Sequence, residues 1–187
     1  QLDDAYDFHP DIAIITNITP DHLDRYDHNI DNYARAKFRI AQNLCPDDCF
    51  IFDSDDAITI KHLSNIVLKA KMLPFTQQKE VAQGAFLKDD RIVVRYEDEE
   101  TDIYLKDLAL GGKHNIYNSM AAALAAKATG ISDSVIHSSL KSFSPIEHRL
   151  EPVLELGGVL YVNDSKATNI DAAWYALECQ TRPVVWI

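Results

Sequence analysis

Short apolar runs alternate along the first part of the chain with segments of helical spacing. Residues 11–16, 49–53 and 66–73 are apolar runs bounded by turn formers, which predicts buried parallel strands. In residues 31–44 and 55–63 the spacing of the apolar positions predicts amphipathic helices. Strands that alternate with helices indicate an α/β fold with a doubly wound sheet.

The middle of the chain has a different pattern. Residues 84–106 contain three short apolar runs separated by acidic turns, which is typical of an antiparallel meander. The acidic run 97–100 suits an exposed hairpin tip. Two helices are expected next, at 115–128 and 134–140. The pattern therefore predicts a mainly parallel sheet extended by a small antiparallel meander.

The last part of the chain predicts a second, smaller unit. Residues 151–164 suit two strands that turn at Gly157 and Gly158, residues 169–179 a helix and residues 183–187 a buried strand. We place a domain boundary near Arg149.

Residues 1–149 would then form one partial domain, and residues 150–187 would begin another. The sequence starts with Gln1 rather than Met and ends on an apolar run. We therefore expect a piece of a longer protein.

Charge excludes several partners. The chain has 18 Lys and Arg residues against 29 Asp and Glu residues, a net charge of −11. Such a field repels nucleic acid and anionic membrane surfaces, so a phosphate-bearing ligand needs local donors or a metal ion. No apolar run approaches the roughly 18 residues of a membrane helix, and no signal pattern opens the chain. We expect a cytoplasmic protein.

The three cysteines, Cys45, Cys49 and Cys179, are too few and too scattered for a disulfide framework. Cys45 and Cys49 lack a second ligand pair for zinc, which favours reduced, structural cysteines.

A first polar cluster, at residues 19–26, follows the first predicted strand, where open α/β sheets bind their ligands. It contains Asp21 and His22, and the next helix carries Lys37. Each also has an ordinary explanation: Asp and His are common in turns, and most helix lysines are exposed.

A second cluster, at residues 111–118, joins two glycines to a helix N-terminus, which attracts anions. Asn115 and Asn118 share a helix face beside His114, and their amides can both donate to and accept from an adenine edge. Helix capping without a ligand is the alternative. No Gly-x-x-x-x-Gly-Lys-Ser/Thr loop occurs in the chain, so any triphosphate cradle is absent or lies outside it.

A third cluster joins residues 148–151 to residues 163–169 at a predicted strand-to-helix turn. Arg149 and Lys166 supply local positive charge for a phosphate. Capping by Asp164, Ser165 or Asn169 remains the alternative.

Taken in order, the segments ITNITPDHLDRYD, NYARAKFRI, GGKHNIYNSMAAALA, HRLE and NDSKATN resemble the Mur ligase family of ATP-dependent amide-forming enzymes. The likeness runs through essentially the whole chain. The NDSKATN form resembles members that join D-glutamate to UDP-N-acetylmuramoyl-L-alanine in peptidoglycan synthesis.

The resemblance implies a three-domain parent with a uridine-nucleotide domain, a central ATPase domain and a C-terminal Rossmann-like domain for the amino acid. This chain would be most of the central domain, at 1–149, and the beginning of the third, at 150–187. In the family a substrate carboxylate attacks the γ-phosphate of ATP, and an amine then displaces phosphate from the acyl phosphate. Metal ions and cations must offset the charge that develops.

The resemblance also assigns catalytic and metal-binding roles. His22 would bind the second Mg²⁺, and Lys37 would be the lysine that CO₂ carbamylates so that it helps to hold that ion. Carbamylation needs a neutral amine, which burial or nearby cations favour. Lys166 and Thr168 would lie near the transferred phosphate and the substrate carboxylate, with Lys166 catalytic.

The nucleotide would contact residues from two regions of the chain. The adenine and ribose side would meet His114, Asn115 and Asn118. Arg149 and Asp164 would contact the nucleotide across the domain junction.

Important family parts are not in the chain: the P-loop, a metal-binding glutamate, the uridine-binding domain and the residues that hold D-glutamate. We therefore predict that the 187 residues alone do not catalyse ligation, and that any nucleotide binding by them is weak.

Three alternatives remain open. The first is another Mur ligase or a folylpolyglutamate-type ligase, and the NDSKATN form argues against it. The second is a non-catalytic nucleotide-binding or interaction module. The third is a metal hydrolase built on Asp21, His22 and Asp24.

Overall fold

The structure is a computed structural model that describes residues 2–144 and 146–187. Gln1 and Pro145, both within the first predicted domain, lie outside this description. The described strands are β1 (Ile12–Ile15), β2 (Cys49–Asp53), β3 (Lys71–Thr76), β4 (Gly84–Lys88), β5 (Arg91–Tyr96), β6 (Glu99–Tyr104), β7 (Glu151–Leu156) and β8 (Val159–Asn163). The α-helices are α1 (Ile30–Phe38), α2 (Ala57–Leu63), α3 (Lys113–Ala128), α4 (Asp133–Ser142) and α5 (Ile170–Glu178).

Six strands form one sheet in the order β1-β2-β3-β4-β5-β6. The first four run parallel, and β5 and β6 continue the sheet as antiparallel neighbours. This confirms the mainly parallel α/β fold with an antiparallel meander. The meander joins the main sheet because Phe75 and Thr76 of β3 pair with Ala85 and Phe86 of β4.

Helices cover both faces of this sheet. Ile51 of β2 packs in one core cluster with side chains of α3 and α4, whereas Phe50 and Phe52 pack in a second cluster with side chains of α1. Successive side chains of a strand point to opposite faces, so a fully buried run such as β2 serves both clusters.

Two predicted elements have different boundaries in the structure. The helix expected at 31–44 ends at Phe38 and continues as a 3₁₀ turn, Arg39–Ala41. The strand expected at 66–73 is observed at Lys71–Thr76. Its register is fixed by β2, with Cys49 opposite Lys71, and Val67 is 95% exposed in the loop before it.

The hairpin predicted at 151–164 is confirmed as β7 and β8, and α5 follows it with Asn169 as its N-cap. The strand predicted at 183–187 is wrong: the described residues there form no strand. A strand requires a hydrogen-bonding neighbour, and in the described part of the chain these residues have none. Val185 is accordingly 89% exposed.

No helix within the described residues has the length and apolarity that crossing a bilayer requires.

Candidate functional site

The carboxyl ends of β1, β2 and β3 lie at one edge of the sheet, and polar loops follow each of them. Parallel α/β sheets bind ligands at this edge because helix N-termini and loops meet there. The first predicted cluster, residues 19–26, follows β1.

His22 begins the 3₁₀ turn Leu23–Arg25 in a left-handed backbone conformation, with φ 51°. Its backbone N–H donates to Asp21 Oδ1 over 2.9 Å, and the imidazole Nδ1 lies 3.7 Å from the same oxygen. The ring is exposed and lines a cavity of about 320 Å³ together with Lys37. The structure therefore brings these two predicted residues to one cavity.

Lys37 lies in the last turn of α1, and its Nζ is 5.0 Å from the centre of the Tyr33 ring. The side chain is exposed, so the burial expected to favour a neutral amine is not observed. Lys37 also lines a neighbouring cavity of about 390 Å³, to which Asp21 and Asn169 contribute. Both cavities are open and polar enough for charged ligands to enter.

The side chains beside His22 fit a Mg²⁺ ion only if Lys37 is modified. Mg²⁺ prefers oxygen ligands, and an ammonium group repels it. Asp21 and His22 offer a carboxylate and an imidazole next to each other. A carbamate on Lys37 would add the missing anionic oxygens, and phosphates usually complete the coordination of Mg²⁺ in such sites.

The second predicted cluster forms the start of α3. Gly112 is the N-cap with φ 95°, and Asn115 Nδ2 donates to the Gly111 carbonyl over 2.7 Å. This bond ties the first turn of α3 to the preceding loop, but it is not a helix cap, because the amide donates to a carbonyl and Gly112 supplies no side-chain cap. It uses only part of the amide. Asn118 is exposed one turn later.

His114 is packed against α5, with its ring centre 5.4 Å from that of Tyr175. Burial lowers the pKa of the imidazole, while the nearby Glu178 carboxylate opposes that change. A neutral imidazole at the start of α3 can both donate and accept a hydrogen bond.

The third predicted cluster surrounds the turn between β8 and α5. Asp164 Oδ1 accepts from the backbone N–H of Leu150 over 3.0 Å, and the His148 carbonyl accepts from the N–H of Lys166 over 3.1 Å. These bonds fasten residues 148–150 to the turn. The side chains of Arg149, Lys166 and Thr168 are left exposed to solvent.

Asn169 connects this turn to the first cluster. Its Oδ1 accepts from the N–H of Ala172 over 2.8 Å as the cap of α5, and its Nδ2 donates to Asp21 Oδ2 over 3.3 Å. The capping alternative therefore holds for Asn169, which in addition places the β8–α5 turn beside the loop after β1.

A network that the sequence did not suggest lies at the end of β2. The Asp55 carboxylate accepts from the Thr76 hydroxyl over 2.6 Å, from the N–H of Gln77 over 2.7 Å and from the Tyr117 hydroxyl over 2.8 Å. Burial and the bond to Asp55 raise the pKa of Tyr117. The network attaches the first turns of α3 to the sheet edge.

Asp53 and Asp56 flank Asp55 in this network. Burial raises the pKa of Asp53 to about 6, although its Oδ1 accepts from the N–H of Asp55. Asp56 caps α2 and also accepts from the N–H of Ile18 over 3.1 Å. Asp53 ends the buried strand β2, and Asp55 and Asp56 follow it closely; this position is the signal that would have identified all three.

The predicted residues thus fall into two groups. His22 and Lys37 share a cavity wall, and α5 brings the third cluster next to Asp21 and His114. In the part of the chain that the structure describes, the other predicted site residues line neither of these two cavities: His114, Asn115, Asn118, Arg149, Asp164, Lys166 and Thr168.

Known proteins resemble the chain in sequence and in fold. The UDP-N-acetylmuramoylalanine--D-glutamate ligase of Christiangramia forsetii is 46% identical over 187 residues, which is 100% of this chain and 42% of the relative. The chain therefore spans less than half the length of that relative.

Two solved structures share the fold at lower identity. MurF from Acinetobacter baumannii superimposes with a TM-score of 0.71 at 21% identity, covering 92% of this chain and 38% of MurF. A mutant of L. casei FPGS gives a TM-score of 0.59 at 20% identity, covering 94% of this chain and 44% of that protein.

Residues 1–126 match the family model of the Mur ligase middle domain. This match covers the parallel sheet, the candidate sheet edge and nearly all of α3. The chain belongs to the Mur ligase family.

Proposed function

We propose that the protein containing this chain is an ATP-dependent ligase that joins D-glutamate to UDP-N-acetylmuramoyl-L-alanine in peptidoglycan synthesis. The observation that carries the proposal is the meeting of three separate segments at one sheet edge. The Asn169–Asp21 hydrogen bond brings the NDSKATN turn to the loop that holds His22, beside the cavities that Lys37 lines. The name and 46% identity of the Christiangramia forsetii relative support the choice of amino acid.

The proposed reaction has two steps. The substrate carboxylate attacks the γ-phosphorus of ATP, which releases ADP and forms an acyl phosphate. The amine of D-glutamate then attacks the acyl carbon, phosphate leaves, and the amine loses a proton as the amide forms. Both steps gather negative charge that nearby cations must offset.

Although the chain as a whole is acidic, it carries positive side chains that can offset the negative charge of the phosphates. In the proposal, exposed Lys166 contacts the transferred phosphate, and Thr168 donates from its hydroxyl to the substrate carboxylate. His114, Asn115 and Asn118 orient the adenine and ribose at the start of α3. Arg149 and Asp164 contact the nucleotide from the β7–β8 unit.

Mg²⁺, held by His22 and by a carbamate on Lys37, would supply electrostatic stabilisation of the phosphate oxygens. Asp21 contributes by fixing the turn: it accepts from the N–H of His22 and from Asn169. Exposure of Lys37 leaves its amine open to CO₂.

We further propose that residues 1–149 belong to the ATPase domain and residues 150–187 to the amino-acid-binding domain, and that the protein acts in the bacterial cytoplasm. The compact hairpin at β7–β8 and its few tethers to the main sheet support this boundary.

The test uses the full-length protein with Mg²⁺, ATP and UDP-N-acetylmuramoyl-L-alanine, and measures phosphate release with and without D-glutamate. We expect release that depends on D-glutamate and falls at least about a hundredfold in Lys37→Ala, as for loss of a group that acts on the transition state. The isolated 187-residue chain should release none.

Lys106→Ala is the matched control. Lys106 is an exposed lysine that also stacks on a tyrosine, with Nζ 5.2 Å from the centre of the Tyr104 ring, but it lies after the far edge strand β6. It should keep full activity. Phosphate release without dependence on D-glutamate, or equal losses in the two variants, would contradict the proposal.

The likeness of the chain to FPGS and MurF concerns the fold and does not choose between amino acids. Replacing D-glutamate by other amino acids in the same assay tests the remaining ligases of the family. A binding module would release no phosphate under any of these conditions.

A further inference from the structure

The sheet edge opposite the candidate site brings together three side chains with metal-binding atoms. His9 precedes β1, Asp48 precedes β2, and Cys45 lies in the loop between α1 and β2. One ligand atom of each lies within 4.8 Å of the other two. Within residues 2–144 and 146–187, this is the one group of three or more His, Cys, Asp or Glu side chains arranged so closely.

Asp48 contacts both of the other residues in this group. Its side chain is only 9% exposed, and its Oδ2 lies 2.6 Å from His9 Nε2 and accepts from the backbone N–H of Cys45 over 2.5 Å. The backbone carbonyl of Asp48 accepts from the N–H of Lys71, which fixes its position next to β3. His9 and Cys45 are exposed, so an ion can reach them from solvent.

We propose that His9, Cys45 and Asp48 bind a divalent transition-metal ion of the Zn²⁺ class, with water as the fourth ligand. Imidazole, thiolate and carboxylate are the ligand types that Zn²⁺ uses, and three protein ligands plus water make an open tetrahedral site. Bonds of about 2.0 to 2.3 Å place tetrahedral ligand atoms about 3.5 Å apart. In the proposed site the ion replaces the 2.6 Å contact between His9 Nε2 and Asp48 Oδ2, and the Cys45 thiolate completes the set of three protein ligands.

Charge and ligand chemistry favour this ion over Mg²⁺. The thiolate and the carboxylate together balance two positive charges, and the thiol proton passes to solvent on binding. Sulfur and imidazole suit borderline ions, whereas Mg²⁺ selects oxygen ligands. The site is therefore separate in position and in chemistry from the one proposed at His22, and does not depend on the proposed function.

The ion would reinforce an existing attachment of the segment before β1. Asn43 Nδ2 donates to the carbonyls of Tyr6 and Phe8 over 2.8 and 2.9 Å, and Gln42 Nε2 donates to the carbonyl of Tyr6 over 3.1 Å. A metal bridge from His9 to Cys45 adds a stronger link between the same two segments. Its role is structural: it fixes the approach of the chain to β1.

The test titrates Co²⁺ into the reduced, tag-free full-length protein and follows the thiolate-to-cobalt charge-transfer absorption. We expect one equivalent to bind with this absorption, and excess Zn²⁺ to displace it. Cys45→Ser should abolish the absorption, and His9→Gln should weaken binding by about tenfold or more. The matched controls Cys179→Ser and His28→Gln should bind as the unchanged protein does.

A second measurement needs no substitution. Saturating Zn²⁺ should slow alkylation of Cys45 by about tenfold or more, as mass spectrometry of its peptide reports, and leave Cys179 unaffected. The proposal is overturned if no stoichiometric Co²⁺ binding occurs, if the absorption survives Cys45→Ser, or if Cys45 is alkylated equally fast with Zn²⁺.

Discussion

At the scale of single residues, Asp53 is a buried carboxyl whose raised pKa lowers stability at neutral pH. Its pKa is about 6 in the folded protein because of burial, compared with about 3.9 in an unfolded chain. The folded state therefore holds the proton more tightly than the unfolded state between these two values. The contribution to stability is present at low pH and is lost as the pH rises to about 6.

Asp53→Asn should remove this pH dependence. The amide oxygen can still accept from the N–H of Asp55, and no charge is buried. We expect the variant to gain about 1 kcal/mol over the original chain at about pH 7.5 relative to their difference at about pH 5. Urea unfolding of both proteins at the two pH values measures it. Equal pH slopes for the two proteins would show that Asp53 ionises normally.

At the scale of elements, Gly112 determines how α3 begins and how α5 packs against it. Its φ is 95°, and an added Cβ would lie 2.9 Å from Cys179 Sγ and 3.3 Å from His114 Cε1. Adjacent Gly111 has open space around the same position. The two glycines therefore form a matched pair with opposite expected tolerance.

Gly112→Ala should destabilise the chain by about 1 to 2 kcal/mol and loosen α5, because the backbone conformation is strained for alanine and the new methyl group pushes on Cys179. Gly111→Ala should change stability by less than about 0.5 kcal/mol. Urea unfolding gives the two free energies, and hydrogen exchange over Ile170–Glu178 reports the loosening. Similar losses in both variants would refute the special role of Gly112.

A strand of this fold was predicted correctly where an apolar run in the sequence also has a neighbouring strand in the structure. The run Cys49–Asp53 is apolar up to its last residue and lies between two strands, and its predicted bounds match β2. The equally apolar run 183–187 forms no strand because a neighbour, and not composition, decides strand formation.

The same distinction between local sequence and distant partners applies to the residues of the candidate site. The segment that contains His22 was located because it follows a recognisable strand, and the family resemblance singled out His22 and, on the next helix, Lys37. Asp55 also follows a strand, but its contact with Tyr117 joins residues 62 positions apart. Only the folded chain shows such a pairing.

At the scale of the whole molecule, the β7–β8 unit exposes a large apolar surface. Seven apolar side chains on it and on α5 are at least half exposed: Val153, Leu154, Leu156, Val159, Tyr161, Ile170 and Trp174. Exposed apolar side chains gathered in one small unit favour association in water. The isolated chain should therefore form concentration-dependent oligomers despite its net charge of −11.

Sedimentation velocity tests this expectation with two matched double variants. Leu156→Glu with Val159→Glu adds charge to paired positions of the hairpin and should shift the chain to monomer. Val67→Glu with Ile131→Glu changes exposed apolar residues elsewhere and should leave the association unchanged. A chain that is monomeric at every concentration would contradict the expectation.

The hydrogen bond from Asn169 to Asp21 spans 148 positions of the chain, and this has a consequence for the order of folding. Contacts between distant residues form late because closing a long loop costs entropy that local contacts do not. During synthesis, Asp21 and Lys37 emerge early, and the wall that Asn169 adds to their cavity waits until the β7–β8 hairpin has emerged and docked. The nascent chain therefore passes through a stage in which its main sheet can be complete while this pocket remains open on one side.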